Sequence, residues 1–262
     1  MKHLSKFTFV PAFILLLLGC SEKKNWDLVW SEEFEYTGSP AAETWGYESG
    51  YIRNQELQYY TSELKNVRVE EGLCIITALL EGEDSITSAS INTLGNKDFL
   101  YGRVEVWAQI PSALGTWPAI WMLGTNHREL GWPACGEIDI MEHVGYDPDF
   151  IHANVHTRAY NHSIGTNKGN RIQLKDPWSD FHIYAVEWFE DHLDFFLDDS
   201  LYFSFENDNT GNNDTWPFDK PHYLLLNLAY GGSWGGNQGV DTSRLPLEYK
   251  IDYVRYYRAP KK

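Results

Sequence analysis

Cysteine is scarce in this chain of 262 residues, with 3 in all, and basic residues are outnumbered, 21 Lys and Arg against 37 Asp and Glu. So few cysteines cannot build a disulfide scaffold, and the fold must rest on a hydrophobic core. The formal charge of −16 argues against phosphate-backbone recognition, which needs an excess of Lys and Arg, so no nucleic-acid partner is expected. Long apolar runs are missing as well: Phe7 to Leu18 falls short of the ~20 residues a membrane-spanning helix needs. No capped stretch with helical periodicity is found, nor an internal repeat, a Gly/Ser-rich linker or a shift of composition that would mark a second domain.

Aromatic and apolar residues are plentiful. They reach 15% and 43% of the chain, enough to bury a sizeable core, and 11 of them are Trp, more than packing alone calls for in one domain. Short runs rich in β-branched and aromatic residues recur, broken by Gly, Pro, Asn and Asp. Gly102 to Ile110 alternates, with Val104, Val106, Ala108 and Ile110 on one face and Arg103, Glu105, Trp107 and Gln109 on the other. Phe181 to Trp188, His192 to Leu197, Tyr223 to Leu228 and Ile251 to Tyr257 read the same way. Many short strands at modest spacing predict an all-β chain, a two-sheet sandwich of jelly-roll type spanning residues 26–262 as one domain.

The first residues read as an address, not as fold. Lys2 and Lys6 precede the apolar run, and small residues end it, as in an export signal. Leu17-Leu18-Gly19-Cys20 resembles a bacterial lipobox, which implies cleavage after residue 19 and lipidation of Cys20. Residues 1–19 are then a lipoprotein signal peptide and 20–25 a polar tether. The expected location is an exported, membrane-anchored lipoprotein at the outer membrane or cell surface, touching the membrane through its lipid alone. Cys74 and Cys135 remain for the fold, either paired or both small and buried.

The candidate chemistry lies in Glu137-Ile138-Asp139-Ile140-Met141-Glu142. On a strand, Glu137 and Asp139 share a face, and strict alternation would put Met141 beside them instead of Glu142. A β-bulge adds one residue and returns Glu142 to that face. Three carboxyls side by side cannot all ionise cheaply, so at least one holds its proton toward neutral pH, as a general acid must. A solvated acidic face is the plain alternative. Trp117 and Trp121, four apart, share a strand face about 13 Å apart, either as a core pair or as platforms for sugar rings. Trp132, just before the acids, and Trp234, in the glycine-rich run Gly231 to Gly236, repeat the theme, and Asn54 to Tyr60 offers amides for hydroxyl recognition. That glycine-rich run lacks the Lys-Ser/Thr ending of a phosphate loop.

The hexapeptide resembles the Glu-x-Asp-x-x-Glu signature of glycoside hydrolase family 16, in the bulged form of bacterial laminarinases. Trp30 to Phe34, Asn54 to Thr61, Gly115 to Gly124, His152 to Ser163, Leu225 to Gly235 and Ile251 to Tyr257 look like further blocks of that family in order. The resemblance implies a jelly roll with a concave glycan-binding cleft and retaining endo-hydrolysis of β-1,3-glucan. By position in the motif, Glu137 is the nucleophile, Glu142 the acid and then the base, and Asp139 the residue that tunes the nucleophile. Trp117, Trp121 and Asn54 match substrate positions on the non-reducing side, His156 a position near the cleavage point, and Arg53, Trp132, Asn227 and Trp234 fall near the cleft. His152 reads as a structural histidine. No cofactor is implied for catalysis. Many members carry a structural calcium on the convex face, and Glu33 and Asp252, with the Gly72 carbonyl, fit its ligands by position. The implied partner is a β-glucan polysaccharide and the default state a monomer. Mixed-linkage β-1,3-1,4-glucan, another glycan, and a non-catalytic surface glycan receptor are the alternatives. The unbulged signature would have favoured mixed-linkage enzymes, and retention of both glutamates argues against mere binding.

Overall fold

The computed structural model describes residues 26–259. The signal segment, Cys20 and the tether lie outside the described residues. Two antiparallel sheets face each other. One runs in the order Lys168–Gln173, Phe150–His156, Glu137–Glu142, Thr116–Gly124, His222–Tyr230, Ser90–Asn92, Gly46–Tyr47. The other follows Ser200–Glu206, His192–Leu197, His182–Trp188, Gly102–Gln109, Leu247–Arg258, Leu73–Glu81, Ser85–Ser88, Gln58–Tyr60, with Asp27–Glu32 and Val67–Glu70 paired beside this path. Gln58–Tyr60 joins Ser85–Ser88 in parallel, an exception among antiparallel ladders.

The alternation predicted for Gly102 to Ile110 holds: Val104, Val106, Ala108 and Ile110 are buried between the sheets. They meet Ile120 and Met122, Ile138, Ile140 and Met141, Ile151, Ala153 and Val155, and Leu224, Leu226 and Leu228 from the seven-stranded sheet, all within one continuous core. Because side chains alternate along a strand, the residues between these point out of the sandwich. Those outward rows, from four adjacent central strands, form the cleft.

Trp45, Trp188 and Trp216 are buried, whereas Trp107 stands on the outer face of the ten-stranded sheet, 36% exposed against Phe181 and Tyr253. Cys74 and Cys135 are buried and free, which settles the alternative left open by sequence in favour of two small core residues.

Candidate active site

The bulge falls inside the acid hexapeptide. Against Thr116–Gly124, Asp139 pairs with Trp121 and Met141 with Ile120, so Ile140 has no partner of its own there. Ile140 and Met141 therefore both enter the core, and Glu142 returns to the outer face with Glu137 and Asp139. The carbonyl left over at Ile140 accepts from the Tyr202 hydroxyl of the opposite sheet at 3.3 Å. The bulged residue's main chain is thus satisfied across the core.

The three acids sit in a cleft of about 850 Å³. Each glutamate is held by an indole: Trp132 Nε1–H donates to Glu137 Oε2 at 2.9 Å, and Trp117 Nε1–H to Glu142 Oε1 at 3.0 Å. The second Glu142 oxygen accepts from Asn154 Nδ2 at 3.1 Å. His156 lies across from the acids, its Nε2 3.3 Å from Asp139 Oδ2 and 3.7 Å from Glu137 Oε1. Register explains the convergence, since Glu137 pairs with His156 and Asp139 with Asn154 on Phe150–His156.

Burial raises all three carboxyls above their ordinary range. Glu137 rises to about 8, from burial first and then the Asp139 charge, against the opposing pull of His156. Asp139 is held well above its usual value by burial and by Glu142, and Glu142 is raised by burial against His156, Trp117 and Asn154. The trio titrates as a unit and carries fewer than three charges at neutral pH. A proton on Asp139 removes the second-largest cause of the Glu137 elevation and frees that carboxyl to ionise at lower pH.

All six substrate residues expected from sequence line this cleft: Asn54, Trp117, Trp121, Trp132, His156 and Trp234. One of them differs in kind. Trp121 is only 8% exposed, its ring is covered by the Arg53 guanidinium at 5.0 Å, and its Nε1–H donates to Asn227 Oδ1 at 2.7 Å. It forms wall and not platform, because the cation occupies the face a sugar would need. Trp132, 40% exposed and tilted against His162 at 4.9 Å, is the open surface. Trp234 stands edge-on to Trp117 at 5.3 Å and to His152 at 5.2 Å. His152 thus shares the cleft wall, where its Nε2 lies 3.2 Å from Asp147.

Behind Trp121 runs a buried polar chain that joins Asn227 to the Asn54 to Tyr60 run. Asn227 Nδ2 donates to the Tyr60 hydroxyl at 3.1 Å, which donates to Glu56 at 3.2 Å, and Glu56 also accepts from Gln58 at 2.7 Å and Asn54 at 3.2 Å. Arg53 pairs with Glu48 alongside. The glycine-rich run docks here: Ser233 N–H donates to the Asn54 carbonyl at 2.7 Å, and at Gly231, with φ +71°, a Cβ would meet Leu57 Cγ at 2.6 Å. Glycine at that point is what lets the two loops close the cleft end. Glu48, Glu56, Asn154, His162 and Asn167 also line the cleft. Asn154 alone had a legible signal, two positions before His156 on the same strand face.

Among the described residues, Glu137, Asp139 and His156 are the one group of three His, Cys, Asp or Glu whose ligand atoms lie within 4.8 Å of one another. The calcium residues lie elsewhere, on the ten-stranded side. Both Glu33 oxygens accept from Arg255, at 2.9 Å each, so this carboxylate is taken by a guanidinium. Asp252 sits at a register break and is raised by burial and by the Glu33 charge, against the opposing pull of Arg255.

The chain matches glycosyl hydrolases family 16 over residues 42–255. It is 46% identical to the beta-glucanase of Rhodothermus marinus over 278 aligned positions, covering 98% of this chain and 97% of that protein. Among solved structures it is similar to the laminarinase from Rhodothermus marinus, with TM-score 0.87 and 46% identity over 90% of this chain and 98% of that one. It is also similar to SCLam, a non-specific endo-beta-1,3(4)-glucanase from the same family, with TM-score 0.85 and 44% identity over 90% and 92% of the two chains.

Proposed function

This chain belongs to glycosyl hydrolases family 16, and from that premise we propose that it is a retaining endo-1,3-β-glucanase acting on laminarin-type glucan. The observation that carries the reading is the bulge, which sets two indole-held glutamates on one cleft face around Asp139. Glu137 is the nucleophile: Trp132 holds its Oε2, and the carboxylate attacks the anomeric carbon to form a glycosyl-enzyme. Glu142 protonates the departing glycosidic oxygen, then takes a proton from the water that hydrolyses the intermediate. Asp139 shares the buried protons, keeping one near Glu142 while Glu137 is ionised. Two inversions at the anomeric carbon leave net retention.

Asn54, Trp117 and Trp121 contribute to the non-reducing side of the cleft, with Trp121 acting as the seat of Arg53. Trp132, His156 and Trp234 flank the cleavage point. Tolerance of mixed β-1,3-1,4 linkages is the second reading, favoured by the likeness to the non-specific enzyme. Reducing-sugar release from laminarin and from mixed-linkage glucan tests both. Glu137→Gln is expected to lose at least about a thousandfold in kcat on either substrate. Equal signals from variant and wild type would overturn the mechanism.

The lipobox-like Leu17 to Cys20 supports export and lipid anchoring at Cys20, with the catalytic domain outside the cytoplasm. Cys20→Ser is expected to move the protein from the membrane pellet to the soluble fraction. A calcium ion at Asp252 and nearby main-chain carbonyls would supply only structural stabilisation. Chelator is then expected to lower Tm, and an unchanged Tm would count against the ion.

A further inference from the structure

Asn154 can orient its carboxamide in two ways, and they act oppositely on Glu142. With Nδ2 toward Glu142 Oε2, as found at 3.1 Å, the contact favours the ionised carboxylate. With the carbonyl turned there, only a protonated Glu142 could form the bond. The first orientation is the one that Asn167 supports as found, its Nδ2 donating to Asn154 Oδ1 at 3.1 Å. Asn167 precedes the exposed edge strand Lys168–Gln173, outside the acid motif.

The edge strand leaves room for this arrangement. Gly169 pairs directly with Asn154, and a Cβ at Gly169 would lie 2.2 Å from Asn154 Oδ1. Any larger residue would displace the carboxamide that Asn167 fixes. The loop before it is braced as well: Thr166 Oγ1 accepts from Asn161 N–H at 3.2 Å and donates to the Ala159 carbonyl at 2.8 Å.

We propose that Asn167 is a positioning residue for Glu142, acting through Asn154. It keeps a donor on Glu142 and so stops burial from raising this carboxyl beyond what the base step can use. The same group must give its proton in glycosylation and accept one in deglycosylation, and a carboxyl held too high fails the second task. The inference rests on the acid/base role proposed above for Glu142.

The test compares pH profiles of kcat/KM on laminarin for wild type, Asn167→Ala and Asn167→Gln, with Tm measured for each. Asn167→Ala is expected to fold, since the residue is exposed. Its alkaline limb should move up by about half a pH unit or more as Glu142 loses its fixed donor. Its kcat should fall severalfold, the size of one neutral hydrogen bond, with KM changed less than about twofold. Asn167→Gln, which keeps an amide donor, should restore the limb toward the wild-type position. An unmoved limb, a change in KM alone, or a Gln variant as impaired as the Ala variant would overturn the proposal. Glu142→Ala with azide and an aryl glucoside of good leaving ability reports on the underlying role separately. If azide rescues that variant while the Asn167→Ala limb stays in place, only the positioning idea fails; absence of rescue refutes the acid/base role itself.

Discussion

At Glu137, stability and catalysis pull in opposite directions. Burial and the Asp139 charge push its carboxyl up to about 8 from the ordinary 4.5, so the native state binds more protons across that window. Stability is then lost as pH rises from about 4.5 through 8. Glu137→Gln removes the ionising group and is expected to be more stable than wild type by about 1–2 kcal/mol at pH 9, with little difference at pH 5. This is well below the full linkage value because the cleft is open to water. Urea midpoints at the two pH values check it, and a variant less stable at pH 9 would contradict the burial argument. At this scale the sequence was informative where spacing alone decides. Glu137 with Asp139, and Trp117 with Trp121, followed from strand period, and Glu142 from the bulge. The cover that Arg53 places on Trp121 did not, because it depends on loops joined far apart in the chain. The contact of His152 with Trp234 was hidden for the same reason, since Trp234 arrives on a remote loop.

Among the elements, the bulged strand Glu137–Glu142 matters most. It was legible because a three-acid face and strict alternation cannot both hold with that spacing. What was hidden is the support at Tyr202, which comes from the opposite sheet. Tyr202→Phe leaves the Ile140 carbonyl without that donor in the core. It is expected to cost about 1 kcal/mol of stability and to lower kcat by severalfold, with KM little changed, as Glu142 drifts relative to Glu137. Thermal unfolding and laminarin kinetics on the same preparation test this, and full activity with lowered Tm would confine Tyr202 to a structural part. The outward rows of Phe150–His156 and His222–Tyr230 were readable only in part, since which strands neighbour the acids is set by topology. Strand existence was plain from composition, whereas the order of strands in each sheet was not.

For the whole molecule, two buried histidines oppose the acids. His143 and His222 are fully buried and pushed down to about 4, by burial against hydrogen bonds to the Pro148 and Lys220 carbonyls. Their unfolded forms titrate near 6.5, so the unfolded state binds more protons and stability falls as pH drops from about 6.5 toward 4. Within the range where the two effects overlap they offset one another. Chemical denaturation across pH should give a plateau near pH 5–6.5 with losses on both sides, and a steady rise to pH 9 would contradict it. The jelly-roll class was evident from many short strands and missing helices, while the cleft's depth arises from loops closing over one sheet. The outer face of the seven-stranded sheet is proposed to make Glu137 a glycosyl acceptor. Reaction with a 2-fluoro-substituted β-glucosyl donor, followed by peptide mass spectrometry, tests it most directly. One sugar per chain on Glu137 is expected; a label on Glu142, or turnover with no covalent label and inverted product, would overturn the assignment.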